Sequence, residues 1–390
     1  VFSINRLHGV LNGLPRKVFD DKVRECGSDR YSKGFNSWSQ LVTMLFGQFS
    51  GASSLRMIEA SYSSQVNHHY HLGTGSVRRS TLADANSKRS PEPFRALAEA
   101  LMAQVARPLR QQMRQGLYLL DSTSITLKGR HFDEWTAANA TRNTQGIKLH
   151  VLYDSAEQAP IQHSFTAANV NDVTEALNLD IVAGATYVFD KGYCDYNWWA
   201  EINAKGATFV TRFKRNAALA VQRTRPIPRQ DRDTILADEI VHFSNPTPGG
   251  KRRNRYTAAL RRIMVDRPDA ATPLVLATND LRTPARIIAQ HYKDRWNIEL
   301  FFKWIKQHLK IKQLFGRTEN AVKIQILCAL IAYLLLALYR KTHALKTSLW
   351  MLLGELRSTL FQRSTTENTV FRRRQRQRAE LKHSQMELSL

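Results

Sequence analysis

Two apolar stretches, Leu117–Leu120 and Ala185–Phe189, each run straight into a single aspartate, Asp121 and Asp190. Short apolar runs bounded by polar turn residues read as buried strands. A carboxylate at the edge of such a strand is costly unless it is paired or holds a cation. One aspartate in that position is commonly a cap or turn residue. The same grammar twice calls for a core whose strands end in carboxylates.

The surrounding pattern supplies that core. After Asp121 the chain alternates polar and apolar, and Gly146–Tyr153 and Pro160–Phe165 follow as further strands. A helix is expected over Asn169–Leu177, another over Asp195–Ala204, and a strand over Ala207–Thr211. Asp154 also follows a strand, but the Ser-Ala-Glu behind it reads as a hairpin turn. From Arg212 to Asp280 the chain becomes strands and loops, with strands expected at Glu239–Phe243, Tyr256–Val265 and Leu274–Thr278 around an Asn-Pro-Thr-Pro-Gly-Gly turn.

A third acid comes from a helix. His291–Ile311 contains no Pro or Gly and reads as one long helix. At about 100° per residue, Tyr292, Arg295, Glu299 and Lys306 share one stripe within roughly 60°. Lys303 and Lys310 continue it, and Phe301, Trp304, Ile305 and Leu309 fill the other side. Taken alone, this is an amphipathic helix with a solvated charged face. Beside Asp121 and Asp190, Glu299 becomes the third member of a carboxylate set. Oxygen ligands without Cys or His favour a hard cation, Mg²⁺ or Mn²⁺. Two such ions suit in-line displacement at phosphorus.

Charge agrees with a phosphate-bearing partner. The 57 Lys and Arg against 33 Asp and Glu leave +24, a balance that favours a polyanion, nucleic acid first. Arg212, Lys214 and Arg215 follow one strand, and Lys251, Arg252, Arg253, Arg255, Arg261 and Arg262 crowd the β-rich region; nucleic-acid contact is expected of both groups. Residues 1–109 are expected to be helical, with helices over Phe35–Phe49 and Ser90–Ala106 and Ser90 as N-cap. Between them Arg78, Arg79, Lys88 and Arg89 flank a short Ser80–Asn86 helix, either a DNA-contacting turn or a linker with scattered cations. His68, His69 and His71 lack an acidic or Cys partner at ligand spacing and read as non-metal residues.

Cys26, Cys194 and Cys328 are too few and too scattered for a disulfide framework, which points to a reducing compartment. The apolar run Ile326–Tyr339 is shorter than the ~20 residues that span a bilayer and reads as a buried helix. No signal-peptide pattern opens the sequence, and its start at Val1 leaves a trimmed start or an unusual initiation codon open. The RRRQRQR segment after Phe371 is either a nucleic-acid arm or a solvated tail.

The Asp-Ser-Thr run at 121–123, the Val-Phe-Asp-Lys-Gly-Tyr run ending at Tyr193, and Tyr-x₂-Arg-x₃-Glu-x₆-Lys at 292–306 resemble the DDE transposases of bacterial insertion sequences, in the insertion sequence four family marked by the Tyr-Arg-Glu-Lys signature. The resemblance is strong over about residues 115–340 and weaker over the helical region before them. It implies an α/β, RNase-H-like core with a β-strand insertion, preceded by a small helical domain. The expected division is 1–109 (helical, DNA-binding), 110–211 (first part of the core), 212–280 (basic insertion), 281–345 (second part of the core) and 346–390 (C-terminal helix and basic tail). It implies cut-and-paste transposition through nicking at element ends, a hairpin intermediate and strand transfer. Asp121, Asp190 and Glu299 would bind metal, two Mg²⁺ or Mn²⁺ ions. Tyr292, Arg295 and Lys306 would hold phosphates, with Lys303, Arg212, Lys214, Arg78 and Arg79 as further DNA contacts. A flipped base would stack on an aromatic of the insertion, where Phe213, Phe243 and Tyr256 are the candidates. Trp198 and Trp199 read as packing residues. The partners implied are the terminal inverted repeats, target DNA and a second copy of the chain, with no membrane, in the bacterial cytoplasm at the nucleoid. The alternatives are a catalytically silent DNA-binding derivative and a repair or resolving nuclease on the same core.

Overall fold

The computed structural model describes residues 5–105, 116–127, 129, 132, 135–136, 145–248, 252–268, 270–311 and 313–362. Lys251 and the basic segment after Phe371 lie outside these residues. The chain divides into two compact units, Val1–Leu101 with Ile305–Leu390, and Met102–Trp304.

Among the described residues the first unit begins with seven helices, the last of which runs past Leu101: α1 (Arg6–Leu11), α2 (Arg16–Glu25), α3 (Ser37–Ser50), α4 (Leu55–Ser63), α5 (Val66–Leu72), α6 (Arg79–Lys88) and α7 (Glu92–Val105). Helix α3 is buried from Ser37 to Phe49. A Cβ added at Gly47 would stand 2.6 Å from Ile58 Cδ1, so the glycine lets α4 pack against this helix. Ser90 Oγ accepts from the Glu92 N–H at 3.2 Å at the start of α7.

The second unit is built on a sheet that contains nine strands among the described residues, in the order β3-β2-β1-β4-β5-β9-β8-β7-β6. Its first half comprises β1 (Leu117–Thr126), β2 (Gly146–Asp154), β3 (Ala159–Ala167), helix α8 (Asp172–Ala176), β4 (Thr186–Phe189), helix α9 (Tyr196–Ala204) and β5 (Thr208–Arg212). Strands β1, β2 and β3 are antiparallel neighbours, whereas β4 and β5 run parallel to β1. That order and those directions are an RNase-H-like core. Trp198 and Trp199 of α9 are buried against Phe189 and Phe209, the packing role expected of them.

The insertion follows as β6 (Leu219–Thr224), β7 (Ile235–Phe243), β8 (Leu260–Val265) and β9 (Leu274–Thr278). Strand β9 pairs antiparallel with β5, so these strands extend the core sheet. Strand β6 was not anticipated: its side chains are mostly exposed, and an edge strand facing solvent carries no hydrophobic alternation to read. The strand expected from Tyr256 begins at Leu260.

The expected single helix over His291–Ile311 is two, α10 (Ala285–Asp294) and α11 (Trp296–His308). No Pro or Gly marks the break. At Arg295 the backbone tightens, with the Arg295 N–H bonded to the Tyr292 carbonyl and the Ile298 N–H to the Arg295 carbonyl, three residues apart in each case. The tighter turn lets the two halves serve different parts of the sheet: α10 packs on β4, β5, β7 and β8, while Phe301 of α11 meets Tyr153 of β2 at 5.4 Å between ring centroids. A helical wheel therefore does not run unbroken from Tyr292 to Glu299, and Lys310 falls beyond the helix end.

Back in the first unit, α12 (Glu319–Thr342) and α13 (Leu349–Thr359) complete the helical packing. Helix α12 is long and apolar enough to cross a membrane by length and composition. Nearly every residue from Ala321 to Leu336 is buried, and it packs on α1, α3, α6 and α13.

Candidate active site

The register between parallel strands places the two aspartates. Leu120 of β1 is paired with Phe189 of β4, so Asp121 and Asp190, each the next residue, stand side by side. Val188 is paired with Val210 of β5, which puts Arg212 across from Asp190. Arg212 Nη2 donates to Asp190 Oδ1 at 3.1 Å. Neighbouring strands lie about 4.8 Å apart, so the order Asp121, Asp190, Arg212 along the strand tips follows from pairing alone.

Glu299 comes from the first turn of α11. Its Oε1 accepts from Arg295 Nη1 at 2.5 Å, and the Arg295 guanidinium also lies over the Tyr292 ring, 5.4 Å from its centroid. Tyr292, Arg295 and Glu299 thus come together despite the break between the helices. Lys303 is exposed on the following turn of α11; Lys306 is half-buried, past Trp304, among the residues of the helical unit.

The electrostatics divide the aspartates. Burial pushes the Asp121 carboxyl up to about 6; the Ser122 N–H and Arg295 oppose that, while Glu299 and Asp190 add to it. Asp190 is also desolvated, but the Lys191 N–H, Arg212 and Arg295 outweigh this and hold it below its ordinary value. Burial raises the Tyr292 phenol against the pull of Arg212 and Arg295. Among the described residues no group of three His, Cys, Asp or Glu side chains converges closely enough to hold a metal ion. The reason lies in the cations present: Glu299 is turned to Arg295 and Asp190 to Arg212.

Several basic residues expected at DNA have acidic or polar partners within the fold. Arg261 is buried and pairs with both oxygens of Asp238 at 2.7 Å. Its neighbour Arg262 donates to Glu239 at 2.6 Å, and Arg252 to Asp195 at 2.5 Å. Arg89 turns inward to Gln40 Oε1 at 3.1 Å and to Asp29 at 3.4 Å. Each sits beside an acid or acceptor distant in sequence, which a linear reading cannot pair with it. Arg78 and Arg79 remain exposed at the start of α6, and Lys214 is half-exposed beyond β5. His69 Nε2 donates to the Tyr62 carbonyl at 2.9 Å, and its ring stacks on the Tyr62 ring.

The aromatics proposed for base stacking are packed inside the fold. Phe213 and Tyr256 are buried, and Phe243 is partly buried against Tyr196. A polar cluster behind the aspartates, formed by Ser122, Lys148, His150 and Asp172, leaves little trace in the sequence. Its signal was slight: a lysine and a histidine two residues apart on a strand whose residues are all buried.

Residues 112–335 match the family model described as a transposase DDE domain, and residues 6–75 match a domain of unknown function, DUF4372. A transposase of Sinorhizobium fredii is 42% identical over 257 residues, spanning 65% of this chain and 69% of that protein. A transposase for an insertion sequence element of Geobacillus stearothermophilus is 28% identical over 265 residues, spanning 66% of this chain and 67% of the relative. A piggyBac transposase synaptic complex with hairpin DNA is similar at a TM-score of 0.44 and 12% identity, over 90% of this chain and 77% of that one. With the DDE model matched across more than half of its residues, the chain belongs to the DDE transposase family, whose members catalyse DNA cleavage and strand transfer.

Proposed function

We propose that Asp121, Asp190 and Glu299 form the metal-binding catalytic set of this transposase, acting at the ends of its own insertion sequence. The observation that carries the reading is the β1–β4 register, which sets Asp121 beside Asp190 with Arg295 and Glu299 close enough to perturb the Asp121 carboxyl. Three carboxylates fit a hard divalent cation. A shared site also requires Glu299 to exchange Arg295 for the ion. Two Mg²⁺ or Mn²⁺ ions held there would acidify an attacking water or DNA 3′-hydroxyl and stabilise the leaving oxygen.

The chain's own residues supply the rest. Arg295, Tyr292 and Arg212 surround the acids and are suited to grip phosphate oxygens next to the scissile bond. Lys303, Lys306 and Lys214 would extend that grip along the strand, and exposed Arg78 and Arg79 would contact DNA from the helical region at 1–109. The substrate chemistry is cleavage at terminal inverted repeats, closure of a hairpin and strand transfer into target DNA in the bacterial nucleoid, with two copies of the chain joining two ends. The large positive charge supports such a polyanionic substrate.

The test is nicking of a supercoiled plasmid that carries the gene with its native flanking DNA, in Mg²⁺. Asp190→Ala is expected to abolish nicking and leave DNA binding largely intact. Nicking retained by that variant would overturn the assignment.

A further inference from the structure

Side chains alternate across a strand, so Ser122 points away from the face that carries Asp121. There it meets Asp172, at the first position of α8: Ser122 Oγ donates to Asp172 Oδ1 at 2.8 Å. Lys148 Nζ reaches the same oxygen at 2.9 Å and also donates to the Val170 carbonyl at 2.7 Å. His150, paired with Ser122 across β1 and β2, holds Nδ1 3.9 Å from Asp172 Oδ1 and bonds Thr166 of β3 through Nε2 at 2.8 Å. One carboxylate therefore fastens the start of α8 to two adjacent strands, β1 and β2, and His150 ties the second of them to β3.

The other Asp172 oxygen faces the turn that follows Asp190. A Cβ added at Gly192 would come within 4.0 Å of Asp172 Oδ2. Asp172 thus touches the residue after Asp121 and adjoins the residue two beyond Asp190. Lys148 and His150 are nearly enclosed, with side-chain exposures of 11% and 4% against 27% for Asp172, so the Lys148–Asp172 pair is partly shielded from water and its geometry is fixed.

We propose that Asp172 is a positioning residue that sets the spacing of Asp121 and Asp190 from the opposite face of the sheet. The inference rests on the reading of those two aspartates as metal ligands. Groups that orient metal ligands without touching the ion alter metal affinity by about 10–100-fold when removed. A residue that only supports the fold would lower stability and leave the affinity of the folded fraction unchanged.

The experiment measures Mn²⁺ binding to the full chain on its plasmid-derived end DNA by electron paramagnetic resonance, alongside thermal melting. Asp172→Asn is expected to weaken Mn²⁺ binding about ten-fold, while DNA affinity stays that of the unsubstituted protein. Ser122→Ala, which removes a single contact and keeps the Lys148 pair, is expected to shift it a few-fold in the same direction, and it serves if Asp172→Asn does not fold. Mn²⁺ affinity unchanged in the folded variants would overturn the proposal. Asp121→Asn separates the two ideas: if it binds Mn²⁺ normally, the catalytic reading fails; if it loses Mn²⁺ while the Asp172 and Ser122 variants do not, the positioning role alone fails.

Discussion

Arg295 donates from Nη1 to Glu299 Oε1 at 2.5 Å, across the junction where α10 gives way to α11. The guanidinium is nearly enclosed, with 14% of its side chain exposed, and Glu299 is at 32%. The same charge opposes the rise that burial imposes on the Asp121 carboxyl and helps hold Asp190 below its ordinary value. Arg295 is thus the shared counterion of three acids.

Arg295→Gln is therefore expected to damage chemistry more than binding. Loss of a positioned charge at the reacting phosphate costs about 100-fold or more in turnover. DNA affinity is expected to fall by less than about ten-fold, because many other cations contribute. Single-turnover nicking compared with filter binding checks this; equal losses in both would mean that Arg295 serves affinity alone.

The Asp121 carboxyl predicts an unusual stability profile for the metal-free protein. Its folded value of about 6 lies above its ordinary 3.8, so the folded state binds this proton more tightly than the unfolded chain. Stability from this group is present below pH ~4 and is lost as pH rises through ~6. At neutral pH the ionised group costs up to about 3 kcal/mol, at roughly 1.4 kcal/mol per pKa unit. Asp121→Asn is expected to raise the denaturation midpoint at pH 7.5, to change little at pH 4, and to abolish nicking. Urea unfolding at the two pH values in a chelator measures it; equal shifts at both would contradict the burial argument.

The core was legible because its strands are buried and end abruptly. Leu117–Leu120 and Ala185–Phe189 show their type in apolar residues alone, and the aspartates behind them needed no tertiary information. The Tyr-Arg-Glu-Lys spacing was legible as a motif, but the break at Arg295 was not, since it arises from packing on the sheet. Pairing was the other blind spot. Arg261 looks like any surface cation in the sequence, and its partner Asp238 lies on the neighbouring strand. The Ser122–Asp172 contact joins residues 50 positions apart, beyond any local pattern.

Arg261 and Arg79 give opposite predictions from the same charge. Arg261 is 1% exposed and held by Asp238 on two sides. Arg261→Met leaves buried Asp238 with Arg225 alone, 3.6 Å away, and is expected to cost about 3 kcal/mol of stability. Arg79 is exposed, so Arg79→Gln is expected to stay within about 0.5 kcal/mol. Chemical denaturation ranks the pair, and similar losses would show that the buried contact has no special weight.

Arg79→Gln should register instead in the salt dependence of DNA binding. A net charge of +24 implies that several phosphates are neutralised in the complex, with counterions released. For six to ten such contacts, affinity falls by about 10³–10⁵ between 50 and 200 mM salt. Each lost phosphate contact reduces the slope of log affinity against log salt by about 0.9. The double variant Arg78→Gln with Arg79→Gln is therefore expected to flatten the slope by nearly two, whereas Arg261→Met leaves it unchanged in the fraction that folds. Fluorescence anisotropy across a salt series reads both, and an unchanged slope in the double variant would remove the start of α6 from the DNA interface.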